Sequence, residues 1–142
     1  MLAKQLSVFI ENRQGRLGEV LGVLKKNGVN ILSLSLADTT EFGLLRLIVS
    51  DPILGKEMLS KEGFSTTTSE VLVVEIAHVS GSLQGLLDIL SKQNINVEYM
   101  YGLSIDGKNA SVVMKASDNK QAEIILTNNG ITTLSNDKIL DL

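Results

Sequence analysis

The chain has no cysteine and no tryptophan, one proline and one histidine among 142 residues. Without cysteine there is no disulfide, no thiolate metal site and no cysteine nucleophile. One histidine leaves little for general acid–base chemistry. Positive charge is also scarce: 13 Lys and Arg stand against 16 Asp and Glu, a net charge of −3. That excludes a non-specific nucleic-acid binder, whose affinity comes from many cations set against phosphates. Aromatic residues make up 4%, so the stacked aromatics of an RNA-recognition sheet are missing as well. No apolar run approaches the roughly 20 residues that span a bilayer, and the start, Met1-Leu2-Ala3-Lys4-Gln5, lacks the apolar stretch of a signal peptide. A cytoplasmic location is expected. What the chain does have is core material: 44% hydrophobic against 20% charged residues, the balance of a folded protein.

The chain is an internal repeat. At an offset of 66, Val8-Phe9-Ile10 falls on Val74-Glu75-Ile76, Gly15-Arg16-Leu17 on Gly81-Ser82-Leu83, and Val29-Asn30-Ile31 on Ile95-Asn96-Val97. One added turn residue shifts the offset to 67, and Ser50-Asp51 and Gly63-Phe64 then meet Ser117-Asp118 and Gly130-Ile131. The boundary falls near Ser69 and Glu70, giving domains 1–69 and 70–142. Halves this small need to share a core, and no Pro, Gly or Ser linker separates them.

Each half reads strand-helix-strand-strand-helix-strand. Leu6, Val8 and Ile10 alternate with Ser7, Phe9 and Glu11, as in a strand. Leu17, Val20, Leu21 and Leu24 have the spacing of one helical face, which Gly28, or Asn94 in the second half, ends in a left-handed conformation. Runs 31–37 and 44–50 predict strands around a turn at Asp38-Thr39-Thr40-Glu41, and Ser50-Asp51-Pro52 starts a second helix. The second half predicts strand 71–77, helix 82–93, strand 95–104, turn 106–109, strand 110–116, helix 118–129 and a strand from Ile131. The short connections favour an α+β fold of two ferredoxin-like βαββαβ domains, each an antiparallel sheet with both helices on one face. The register of the second strand stays open, because Leu32, Leu34 and Leu36 in one half and Tyr99, Met100 and Tyr101 in the other give different answers. Either register turns apolar side chains away from the helices, and such a face usually meets a partner.

The segment Glu11-Asn12-Arg13-Gln14-Gly15-Arg16-Leu17 carries the functional signal. A strand ends, a glycine turns the chain and a helix begins, leaving unpaired amides and a positive dipole end to hold a carboxylate or phosphate. Asn12 and Asn30 each present a donor and an acceptor, which suits a zwitterion, and Asn30 recurs as Asn96. No catalytic constellation and no metal-ligand spacing is visible, and no cofactor is implied.

The segment L-S-V-F-I-E-N-R-Q-G-R-L, followed by G-V-N-I at 28–31, resembles the ACT domain, and both halves follow its layout. The resemblance implies two ACT domains packed as a pseudo-twofold pair, a non-catalytic regulatory module that binds a free amino acid at the seam between them. It carries the ligand contacts onto Asn12, Arg13, Gln14, Gly15, Arg16, Leu17, Asn30 and Asn96. Gln14 departs from the family's usual proline. In the second loop Gly81, Ser82 and Leu83 keep the pattern, while His78 and Val79 replace the Asn and Arg. The first loop with Asn96 is therefore expected to form the better site. His78 would line the other and make it pH-sensitive, unless it is a surface bystander. Tyr99 and Tyr101 either touch a ligand or fill an interface. The implied partners are the amino acid and a second copy or a regulated enzyme. The first half is also similar to the small regulatory subunit of acetohydroxyacid synthase. An acylphosphatase-like enzyme using Arg13, Arg16 and Asn30 is the remaining alternative.

Overall fold

A computed structural model describes residues 1–38, 41–106 and 109–141, with Asp38, Ile105 and Asp106 described by their backbone alone. The centres of the two expected turns, at 39–40 and 107–108, and Leu142 lie outside the described residues. The chain forms two compact units: Lys4–Ser69, and Glu70–Leu142 together with Met1–Ala3.

The first unit contains β1 (Ala3–Glu11), α1 (Arg16–Lys26), β2 (Ile31–Asp38), β3 (Phe42–Val49), α2 (Pro52–Lys61) and the start of β4 (Ser65–Ala77). The second continues β4 and adds α3 (Ser82–Lys92), β5 (Val97–Asp106), β6 (Asn109–Ala116), α4 (Asn119–Asn128), β7 (Thr132–Thr133) and α5 (Asn136–Leu140). The strand orders are β2-β3-β1-β4 and β7-β4-β6-β5. The pairings β1–β3, β2–β3, β4–β6, β5–β6 and β4–β7 are all antiparallel. This is the expected α+β, ferredoxin-like arrangement in each unit.

In the first core Leu6, Val8 and Ile10 of β1 and Leu45, Leu47 and Val49 of β3 meet Val20 and Leu24 of α1 and Leu59 of α2. In the second Leu72 and Val74 of β4 and Met114 and Ala116 of β6 meet Leu86 and Leu90 of α3 and Ala122, Ile125 and Leu126 of α4. Each Val, Leu, Ile or Met among them is worth roughly 1.5–3 kcal/mol when removed from water. All four long helices close alike. Val29, Phe64, Ile95 and Ile131 each donate their N–H to a carbonyl in the last turn of the preceding helix. The residue before each is left-handed: glycine at 28, 63 and 130, and Asn94 with φ 61°.

The structure resolves the open register. β2 has a bulge between Ile31 and Ser33, and β5 has one between Val97 and Tyr99. Two residues of the bulged strand then face one of its neighbour, so the period of two breaks at that point. Beyond the bulge Leu34 lies opposite Leu47 and Leu36 opposite Leu45, on the helix side, and Met100 lies opposite Met114. Ser33, Ser35, Tyr99 and Tyr101 take the other face. The halves agree once the bulge is counted. Phe9, on that other face, is 51% exposed.

Two features depart from the expected pattern. β4 is one continuous strand across the boundary at Ser69 and Glu70, because the β-branched run Thr66-Thr67-Thr68 leads without a breaker into Val71-Leu72-Val73-Val74. The final strand is only Thr132–Thr133, after which the chain enters α5. Ser135 caps that short helix by accepting the N–H of Lys138, and Asp137 sits in its first turn, a start signal that outweighs further strand.

Candidate functional site

The sequence-predicted residues occupy equivalent places in the two units. Asn12, Arg13, Gln14 and Gly15 form the β1–α1 loop, Arg16 and Leu17 the first turn of α1, and Asn30 precedes β2. His78 and Gly81 lie in the β4–α3 loop, Ser82 and Leu83 in the first turn of α3, and Asn96 precedes β5. Within each unit the turn and the Asn flank the same helix, one at either end.

The helix starts differ in a telling way. Asp51 caps α2 by accepting the N–H of Leu54 at 3.0 Å, and Asp118 caps α4 by accepting that of Gln121 at 3.0 Å. Helices α1 and α3 have no side-chain cap. Their N-cap residues are Gly15 at φ 88° and Gly81 at φ 87°. Glycine adopts this left-handed backbone without strain and offers no side chain. The first-turn amides of α1 and α3 thus lack the carboxylate that the chain itself supplies at α2 and α4.

The loop before α1 is held from several sides. Asn12 donates its backbone N–H to the Glu41 carbonyl at 2.9 Å, and Arg13 donates its own to the Glu11 carbonyl at 2.8 Å. Arg13 Nε donates to Glu11 Oε2 at 2.7 Å. The hydrogen bond and charge of Arg13, with a smaller contribution from Arg16, hold the Glu11 carboxyl below the usual carboxylate range. Arg16 Nη1 meets Glu19 Oε2 at 2.5 Å, and its guanidinium lies 4.5 Å from the centroid of the Phe64 ring. Both arginines are therefore engaged by acids of their own unit.

Asn30 and Asn96 are fixed by their backbones. Asn30 N donates to Ser50 Oγ at 2.8 Å while Ser50 N donates to the Asn30 carbonyl at 2.9 Å. Asn96 and Ser117 repeat the pair at 3.1 and 2.8 Å. Both Asn residues are exposed. An open hollow of about 350 Å³ borders Asn30, lined by Leu21, Lys25, Gly28, Val29 and Ile31. His78 is exposed at the second loop.

Sequence reasoning missed the two serines and the stack of Arg16 on Phe64. Ser50 and Ser117 were legible as a repeated Ser-Asp; the stack joins residues 48 positions apart and left no local signal. No group of three or more His, Asp or Glu residues among those described has metal-binding geometry, and none of the described helices is long and apolar enough to cross a membrane.

The comparisons agree with this architecture. The family profile of the ACT domain pair matches residues 1–141. A Bacteroides thetaiotaomicron protein of known crystal structure is 34% identical, with a TM-score of 0.94 over 100% of this chain and 98% of its own. The ligand-free regulatory subunit of aspartate kinase from Thermus thermophilus is 13% identical, with a TM-score of 0.65 over 88% of this chain and 90% of its own. The Thermus flavus counterpart is 14% identical, with a TM-score of 0.62 over the same shares. At those identities the two Thermus proteins share the fold alone. No curated protein matches. The chain belongs to the ACT domain pair family.

Proposed function

We propose that this ACT domain pair is a non-catalytic sensor that binds a free amino acid and passes the binding on to a partner. The observation that carries the reading is the pair of uncapped helix starts at Gly15 and Gly81, beside the Asp-capped starts of α2 and α4. A ligand carboxylate takes the position of the missing cap, where the amides and the helix dipole favour negative charge. The loop from Asn12 to Leu17 surrounds it. The Asn that opens the second strand of a neighbouring ACT domain completes the site. In this reading the first loop works with Asn96, and the second loop, with His78, Gly81, Ser82 and Leu83, works with Asn30. The first is the stronger site, because Asn12 offers both a donor and an acceptor to a zwitterion.

Regulation follows if the ligand favours one arrangement of the domains over another. The fold forms the regulatory subunit of aspartate kinase in two Thermus proteins, which makes a biosynthetic enzyme the fitting partner. The family profile extends over both halves, which speaks against the acetohydroxyacid synthase subunit, whose C-terminal domain is of another kind. The engagement of Arg13 by Glu11 and of Arg16 by Glu19 speaks against an acylphosphatase, which needs a loop arginine for phosphate.

Calorimetry with the amino acid that stabilises the chain tests the residues. Asn12→Ala with Asn96→Ala should weaken binding at least tenfold, and Asn30→Ala should weaken it less. Full affinity in the double variant rejects the proposed site.

A further inference from the structure

The two units differ at one place where the repeat predicts sameness. In the first, the space between the first turn of α1 and Phe64 is filled. The Arg16 guanidinium lies on the buried Phe64 ring and is held there by Glu19. The repeat places Ser82, Gly85 and Ile131 at the positions of Arg16, Glu19 and Phe64. Three large side chains thus give way to a hydroxymethyl, a hydrogen and a branched alkyl group. At that place the second unit has an open hollow of about 400 Å³, lined by Ile76, Ser82, Gly85, Leu86, Ile89 and Ile131 among others. Small-molecule sites span roughly 300–1,000 Å³, so the volume lies at the small end of that range.

The chemistry of the lining narrows the occupant. Ile76, Leu86, Ile89 and Ile131 supply aliphatic walls. No Lys or Arg among the described residues borders the hollow. Glu75 does border it, but its strand neighbours Val74 and Ile76 pack toward the helices, and alternation turns the Glu75 carboxylate to the opposite face. Asn129 also borders it, with its side-chain N–H committed to the Ile125 carbonyl at 2.8 Å. Ser82 is half-buried and brings its hydroxyl to the lining of the hollow. A cationic guest would lose hydration without meeting an opposite charge.

We propose that this hollow binds a small uncharged molecule with a branched aliphatic body and one hydrogen-bonding end group. The body lies against the four aliphatic residues and the end group meets Ser82 Oγ. The hollow shares Ser82 with the second amino-acid site of the reading above, but it differs in chemistry, since the ammonium of a zwitterion finds no counter-charge in this lining.

Amide NMR of the full chain, titrated with 3-methyl-1-butanol, is the test. Saturable shifts at Ser82, Gly85 and Ile131 are expected. Binding should weaken at least tenfold in Gly85→Leu, whose added Cβ meets open space and whose side chain would occupy the hollow. It should weaken equally in Ser82→Arg with Gly85→Glu and Ile131→Phe, which restores the filling of the first unit. The charged analogue 3-methylbutylamine should bind at least tenfold more weakly than the alcohol. Thermal melts check that Gly85→Leu stays folded; if it does not, the Ser82→Ala variant, expected to weaken the alcohol severalfold, takes its place. Shifts that never saturate, an unchanged affinity in the filled variants, or equal binding of the amine would overturn the proposal.

Discussion

Around the first loop two ion pairs of different kinds set the local electrostatics. Glu11 is exposed, and its carboxyl is lowered chiefly by the hydrogen bond and charge of Arg13. A carboxyl lowered on folding stabilises the fold above its unfolded value and loses that contribution as pH falls through the folded value. Arg13→Gln should therefore return the Glu11 midpoint toward that of an ordinary glutamate. Carboxyl NMR titration reads this directly, and an identical midpoint in both proteins would contradict the assigned cause. Arg16 is different: its side chain is 20% exposed and its guanidinium lies over Phe64. Arg16→Ala should lower stability by about 1 kcal/mol in urea unfolding, the sum of a partly desolvated cation–π contact and a weak ion pair. Phe64→Ala should cost about 3–5 kcal/mol, as for other large buried residues. Residue types were legible at this scale, so Asn12, Gly15 and Asn30 could be singled out. Pairings were not, because the partner of Arg16 is brought to it by the fold rather than by spacing.

The helices and strands read well where one rule governs them and poorly where two compete. Helical spacing placed α1 and α3 within a residue or two, and the Ser-Asp starts placed α2 and α4. The second strand failed to declare its register because the bulges at Ile31 to Ser33 and Val97 to Tyr99 interrupt the alternation, and a single-residue slip exchanges the faces. Helical glycines give a contrast in packing. A Cβ on Gly55 would meet Leu6 Cδ2 at 3.2 Å and Leu24 Cδ2 at 3.4 Å, whereas one on Gly85 meets nothing within 4 Å. Gly85→Ala should raise stability by roughly 0.5–1 kcal/mol through helix propensity. Gly55→Ala should lower it by about 1 kcal/mol, since crowding the core costs about 1–3 kcal/mol. Thermal or urea melts of the two variants check the sign, and stabilisation of both would show that the contact between α2 and the first core yields freely.

Over the whole chain the repeat was the most informative sequence feature. It gave two units of the same fold from residues alone, and it exposes where they diverge: the His78 loop, the hollow beside Ser82, and α5, which stands where the first half continues as strand β4. The candidate loop was legible because the proposed site needs backbone amides, which a Gly-then-helix pattern announces. Its lack of a cap was visible only beside the capped helices α2 and α4. The central claim is that the uncapped starts wait for the carboxylate of a free amino acid. A thermal unfolding screen of the chain with each of the twenty amino acids tests this most directly. At about 100 times its dissociation constant the right one should add roughly 2.7 kcal/mol of stability, while its decarboxylated amine should add none. A screen in which no amino acid raises the unfolding temperature, or in which the amine does so equally, would contradict the account.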